Sequence, residues 1–320
     1  MVRIGLLTSG GDCQALNATI RGIVKTLDHR SGEPVEIFGF EDGYQGLIYK
    51  RFRKMTPADF SGILTRGGTI LGTSRTPFKR LDIPEADGVD KVAAMKGTYR
   101  ELGLDCLFML GGNGSTKTAN RLAQEGLNVI ALPKTIDNDL PLPKGTPTFG
   151  YESAKDKGAV IARAVYVDAR TSGNWFVLAA MGRSAGHLAF GIGEACHYPM
   201  IVIPEMFDKT EITVEKIVNL VISSIIKRKI MGMDYGAAVI SEGVFHALSD
   251  EEIRKSGIHF TYDEHGHPEL GKVSKAHIFN EMIEKKLKEI GLKVKSRPVE
   301  LGYEIRCQTP IAYDLTYCSE

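Results

Sequence analysis

The chain has 320 residues, 43% of them hydrophobic and 25% charged, an ordinary globular balance with enough apolar material for more than one core. Forty basic against 39 acidic side chains leave a formal charge of +1, so no global field marks a nucleic-acid or membrane-surface protein. The five cysteines (Cys13, Cys106, Cys196, Cys307, Cys318) form no C-x-x-C pair, which argues against a disulfide framework or zinc site and points to a reducing, cytoplasmic setting. No apolar run approaches the roughly 18 residues of a membrane span.

Short β-rich runs alternate with helical patterns along the chain. RIGLLTS (3–9) reads as a strand ending at Gly10-Gly11, followed by a helix over 15–28 with Asn17 or Asp12 as its cap. VEIFGF (35–40) is a strand, and DCLFML leads through GGNGS into a helix over 116–126. LNVIALP (127–133) reads as a buried strand, with a helix over 153–169 after it. The alternation continues with strands at 174–182, 200–204 and 235–243, and with helices at 184–195, 211–229 and 275–291. YDEHGHPELGK (262–272) is the most polar and turn-like stretch and is expected as a surface excursion. Strand-helix alternation with continuous apolar strands predicts an α/β protein of mainly parallel, doubly wound sheets. The strands are too many for one comfortable sheet, so two Rossmann-like lobes are expected, divided near residues 145–150.

Ligands of such sheets sit beyond the carboxyl ends of strands, and four strand ends here carry unusual loops. These are TSGGD (8–12), GGNGST (111–116), PKTIDND (133–139) and MGRSAGH (181–187). Paired glycines let a backbone approach a phosphate, and the helix that follows offers free N–H donors. GGNGST fits neither the dinucleotide G-x-G-x-x-G nor the Walker A pattern. Two such loops point to a polyphosphate. In TIDND, two carboxylates two apart on an extended segment would share a side. Asp137 and Asp139 then suit a Mg²⁺ site, or one metal carboxylate beside one general base; an Asp/Asn-rich solvated turn is the alternative.

Taken in order, TSGGD, GGNGS, PKTIDND, MGR, a PE pair, SEG and a late arginine resemble the 6-phosphofructokinase family over essentially the whole chain. The resemblance implies transfer of a phosphoryl group from ATP or pyrophosphate, with Mg²⁺, to the 1-hydroxyl of fructose 6-phosphate. It assigns a donor lobe to residues 1–147 and a sugar-phosphate lobe to 148–303. Residues 304–320 are expected to start a segment that returns to the first lobe and is cut short, since relatives continue further.

Residue by residue, the resemblance makes Asp137 the general base, with Arg183 and Gly11 at the reacting centre. Gly11, Tyr44, Arg75, Gly112, Asn113, Gly114 and Ser115 match the donor site. Thr135, Asp137, Met181, Gly182, Arg183, Glu242, Arg297, Tyr303 and Arg306 match the sugar-phosphate site. Asn113 and Asp139 would arrange the metal. Gly114 favours ATP, whereas Lys134, directly before TIDND, is typical of pyrophosphate users; ATP is the expected donor. Arg297 matches an arginine donated by a neighbouring subunit, which implies a homo-oligomer, dimer or tetramer. Asn113 stands in place of the family's usual aspartate, and Asn174 in place of an arginine for the 6-phosphate. A catalytically silent sugar-phosphate or nucleotide-binding homologue is the reading of another class.

Overall fold

The computed structural model describes residues 1–207, 212–255 and 274–320, so the 262–272 stretch lies outside the described residues. Contacts group the chain into two units. One comprises Met1–Ile136, Leu140–Ala154 and Arg306–Glu320; the other comprises Asp137–Asp139 and Lys155–Ile305. The change therefore falls inside a helix rather than at 147, and the short TIDND segment is itself divided.

The first unit begins with β1 (Val2–Ser9), α1 (Leu16–Arg30), β2 (Val35–Phe40), α2 (Tyr44–Ile48) and β3 (Phe52–Met55). It continues with α3 (Lys91–Glu101), β4 (Cys106–Gly111), α4 (Asn113–Gln124) and β5 (Val129–Pro133). The sheet order is β3-β2-β1-β4-β5, parallel except for the pairing of β3 with β2. From β1 the chain steps to β2 on one side, and β4 steps to β5 on the other. The switch thus lies between β1 and β4, where an open α/β sheet binds ligands. The core under these strands joins Leu7, Phe40, Tyr44, Leu47, Met95, Leu107, Met109 and Leu122.

Three expectations change here. Neither Asn17 nor Asp12 caps α1, whose preceding residue Ala15 has no side chain to do so. Asn17 is fully buried instead, donating to Arg66 O at 3.0 Å and accepting from Ile70 N at 2.8 Å, so it pins the 66–70 loop. Helix α4 starts at Asn113, not 116, so most of the supposed loop GGNGST is its first turn. Finally, β5 is an edge strand with Ile130 43% exposed, not a buried one.

α5 (Tyr151–Ser172) carries the chain into the second unit. There follow β6 (Trp175–Ala180), α6 (His187–Ala195), β7 (Met200–Val202), α7 (Val214–Ile230) and β8 (Gly236–Ser241). Then come α8 (Glu242–His246), α9 (Asp250–Lys255), α10 (Lys275–Glu289) and β9 (Ser296–Leu301). The all-parallel order is β7-β8-β6-β9. β6 and β8 are buried at every residue, as strands covered on both faces must be. Trp175, Val177, Val221, Ile240, Phe245, Phe279 and Ile283 fill this core. The last helix, α11 (Ala312–Ser319), belongs to the first unit and lies on α1, where Ser319 leaves no room for a Cβ at Gly22.

Candidate functional site

In the first unit the chemistry collects where β1 and β4 end. Gly10 takes φ +88°, a left-handed value suited to glycine, and its N–H donates to Ser74 O at 3.0 Å. Thr73 Oγ1 donates to Gly10 O at 2.7 Å. At Gly11 a Cβ would stand 2.6 Å from Arg306 Nη2, so the guanidinium at the end of that flexible side chain would have to shift. Arg306 Nε donates to Asp12 O at 2.9 Å, and the Lys134 ammonium donates to Gly11 O. Two cations thus hold two successive carbonyls of the glycine loop. Lys134 is only 2% exposed, so it reaches this loop from within.

Beside it, Gly112 precedes the first turn of α4, whose N–H groups have no intrahelical partner. Ser115 Oγ donates to Ser9 Oγ at 3.0 Å, tying the ends of β4 and β1 together. Tyr44 is fully buried, burial pushes its phenol pKa up, and its hydroxyl donates to Ser115 O at 2.9 Å. Gly114 faces open space: a Cβ there would meet no atom within 4 Å. Burial pushes the Cys13 thiol up to about 12, which removes a thiolate from the chemistry of this loop. The result is an amide-lined helix start next to a clamped glycine loop, a setting for an anion.

In the second unit the loops after β6 and β8, neighbouring strands, are bonded through one carboxylate. Glu242 Oε1 accepts from Gly182 N at 3.0 Å and from Arg183 N at 2.7 Å. Arg183 adopts φ +54°, uncommon for a residue with a side chain, and these bonds help hold it there. Glu242 Oε2 meets Lys275 Nζ at 3.4 Å. Arg183 Nη1 lies 3.7 Å from Asp139 Oδ2, with the guanidinium 59% exposed and the carboxylate 10%. Burial pulls the His246 pKa below its ordinary value, with Glu242 opposing and Lys275 and Arg183 reinforcing the shift.

The segment between Asp137 and Asp139 is not extended. Asn138 takes φ +54°, and β5 has already ended at Pro133, so the alternation argument for a shared side fails. Asparagine tolerates this left-handed value better than most residues. Among the described residues no three His, Cys, Asp or Glu side chains gather as a metal site. Asp137 and Asp139 would offer the one or two carboxylates that Mg²⁺ takes, with water and substrate phosphate filling its shell.

A family profile for phosphofructokinase matches residues 3–320. The chain belongs to the phosphofructokinase family. It is 41% identical over 318 residues to an ATP-dependent 6-phosphofructokinase of Spirochaeta thermophila, covering 97% of this chain and 79% of that protein. It is 34% identical over 322 residues to a pyrophosphate–fructose 6-phosphate 1-phosphotransferase of Thermotoga maritima, covering 98% of this chain and 74% of that one. Among solved structures, phosphofructokinase from Saccharomyces cerevisiae superposes with a TM-score of 0.72 at 25% identity, matching all of this chain. This chain spans 40% of the yeast one. A pyrophosphate-dependent phosphofructokinase from Marinobacter aquaeolei, 19% identical with a TM-score of 0.72, shares the fold.

Against that family background the expected residues fall into two groups. Gly11, Tyr44, Gly112, Asn113, Gly114, Ser115 and Lys134 collect at the ends of β1, β4 and β5, as does Arg306, which the resemblance had grouped with the sugar phosphate. Arg75 is exposed and has no ion pair among the described residues. Tyr44 lies beneath Ser115 rather than at the surface, so it supports the first turn of α4 from below. Thr135 is half-buried, and its carbonyl accepts from Thr148 Oγ1 at 2.6 Å. In the other unit Asp139, Gly182, Arg183 and Glu242 are linked to one another as described, and Met181 N bonds Leu301 O at 3.1 Å. Asp137 is half-buried in the same unit. Arg297 stands exposed on the edge strand β9, and Tyr303 is 73% exposed just beyond it. Lys275 was absent from the sequence reading; at the head of a charged helix nothing but its burial marks it.

Proposed function

We propose that this phosphofructokinase transfers the γ-phosphoryl of ATP to the 1-hydroxyl of fructose 6-phosphate, giving fructose 1,6-bisphosphate in the cytoplasm. The observation that carries the choice of donor is the open space at Gly114 in the amide-lined first turn of α4. It leaves room and imposes no negative charge where a nucleotide's inner phosphates would lie. Lys134, typical of pyrophosphate users, has its ammonium buried on the Gly11 carbonyl.

In this reading Asp137 accepts the proton of the sugar 1-hydroxyl as that oxygen attacks the γ-phosphorus and ADP leaves. Arg183 and Arg75 spread the charge of the transferring group, and the amides of Gly11 and of residues 112–115 hold the donor phosphates. Thr135, Met181, Gly182, Glu242, Arg297 and Tyr303 bind the sugar phosphate, while Arg306 holds the glycine loop through Asp12 O. Asp139 and Asn113 are the residues offered to Mg²⁺, which when bound neutralises charge on the donor phosphates. The working form is a homo-oligomer whose neighbouring subunit lends Arg297.

The pyrophosphate-dependent reaction is the second reading, favoured by the similarity to the Thermotoga protein and by the presence of Lys134. Purified protein, fructose 6-phosphate and Mg²⁺, assayed with each donor in turn, separates the two. ATP is expected to give the higher kcat/KM. Turnover with pyrophosphate and none with ATP would reverse the assignment. No turnover with either, together with retained binding of fructose 6-phosphate, would leave the silent binding homologue.

A further inference from the structure

Lys275 opens α10, and the structure fixes that opening from two directions. Ser274 caps the helix by accepting from His277 N at 3.2 Å. Glu300, near the end of β9, accepts from Ala276 N at 3.0 Å and from Ser274 Oγ at 2.8 Å. The start of the helix is thereby set at the carboxyl end of the sheet, the end where such sheets bind ligands. From there Lys275 extends to Glu242 with its side chain only 11% exposed, and that of Glu242 only 15%. A pair removed from water to this degree is not a surface ion pair of negligible effect. Removing one partner of such a pair strands the other charge.

The other oxygen of Glu242 is occupied by the amides of Gly182 and Arg183. The carboxylate therefore spans two tasks, one oxygen on the cation and one on the turn that aims Arg183. Without Lys275, Glu242 would lose the partner that fixes its rotamer and would turn toward water. The two amides would then lose their acceptor, and the left-handed Arg183 would relax. Three strand ends, those of β6, β8 and β9, are wired together through the first turn of α10.

We propose that Lys275 is a positioning residue of the sugar-phosphate site, holding Glu242 so that its carboxylate fixes the Gly182–Arg183 turn. The assignment rests on the reading of this site as that of a phosphofructokinase. It predicts a weaker hold on the sugar phosphate and, because Arg183 also spreads the charge of the transferring group, a lower kcat, with the donor KM moved least because Lys275, Glu242 and the turn all lie in the second unit.

The test compares Lys275→Met and Lys275→Arg with the wild-type full chain. Lys275→Met is expected to raise KM for fructose 6-phosphate about tenfold, the scale of one hydrogen bond to a charged group, while the donor KM moves less than about twofold. Lys275→Arg should recover most of that loss. Hydrogen exchange of the Gly182 and Arg183 amides should quicken about tenfold in Lys275→Met alone. Unchanged exchange at those amides overturns the proposal whatever the kinetics. So does faster exchange with an unaltered sugar-phosphate KM, or an equal rise in both KM values accompanied by a lower Tm. If the wild-type protein turns over no fructose 6-phosphate with either donor, the functional reading is what has failed, and the exchange comparison still decides the clamp.

Discussion

Glycine at position 114 separates two effects that usually travel together, fit and charge. Its Cβ direction is empty, so a side chain enters without moving any neighbour. It also lies in the first turn of α4, where a carboxylate is favoured by the helix dipole. Gly114→Asp should therefore fold normally, with a Tm within a few degrees of wild type. The same carboxylate would stand among amides proposed to hold phosphate and would repel the donor. We expect KM for ATP to rise by more than tenfold with the fructose 6-phosphate KM little changed, read in steady-state assays of both substrates. Equal donor kinetics in the two proteins would remove Gly114 from donor choice. Lys134 is the complementary case, since its identity suggests a free phosphate-binding cation while its burial assigns it to the glycine loop. Residue type was legible there; the direction of the side chain was not.

At the scale of elements, α11 holds the start of α5 through one carboxylate. Asp314 is fully buried and accepts from Ser153 N at 2.8 Å, while Ile311 N donates to Ser153 Oγ at 3.0 Å. Tyr317 adds a bond from its hydroxyl to Pro147 O at 3.2 Å. Burial raises the Asp314 pKa above its ordinary value, with the hydrogen bonds from Ser153 and Gly150 opposing. A carboxyl whose folded pKa is raised binds its proton more tightly folded than unfolded, so stability falls as pH rises through the unfolded value near 3.8. Asp314→Asn keeps an accepting oxygen and removes that charge. Urea unfolding should therefore show the stability of Asp314→Asn gaining on wild type as pH rises above about 4, and a flat difference would contradict the sign. Asp314→Ala loses the acceptor altogether and should cost roughly 1–2 kcal/mol, the range of a lost helix cap.

The strand-helix order of both units was legible because apolar runs of five to eight residues end at glycine or proline. What escaped the pattern has local causes. SRPVEL hides β9, since Arg297, Pro298 and Glu300 break the apolar run of an edge strand. Helix α3 carries Lys91, Lys96 and Arg100 with a weak apolar face. The capping of α1 was misread because Asn17 has a tertiary task, bonding the 66–70 loop, that no local spacing encodes. The two carboxylates of TIDND were visible, but their geometry was not, because a single left-handed Asn138 cancels the alternation that an extended segment would have.

At the scale of the molecule, α5 presents an apolar stripe to solvent. Val160, Ala164 and Val167 are spaced four and three apart, which places them on one helical face, and all three are exposed, Val160 at 56% and Val167 at 63%. On the neighbouring α6, Phe190 is 47% exposed. Covering such a face removes apolar surface from water, and the occupant consistent with the proposed sharing of Arg297 is a second copy. Arg297 itself stands exposed on β9 with no ion pair among the described residues, as an arginine that acts in another subunit's site would. Placing Val160→Asp and Val167→Asp in one chain puts two charges on the stripe without touching a buried residue. Light scattering coupled to size exclusion should then show the oligomer replaced by monomer at micromolar concentration, with far-UV circular dichroism unchanged. If Arg297 acts across subunits, that monomer should bind fructose 6-phosphate at least tenfold more weakly while its donor KM holds, because only one side of the reaction borrows from the neighbour. A variant that stays oligomeric with unaltered kinetics would show that α5 is not the contact, and a wild-type monomer would show that Arg297 serves its own chain.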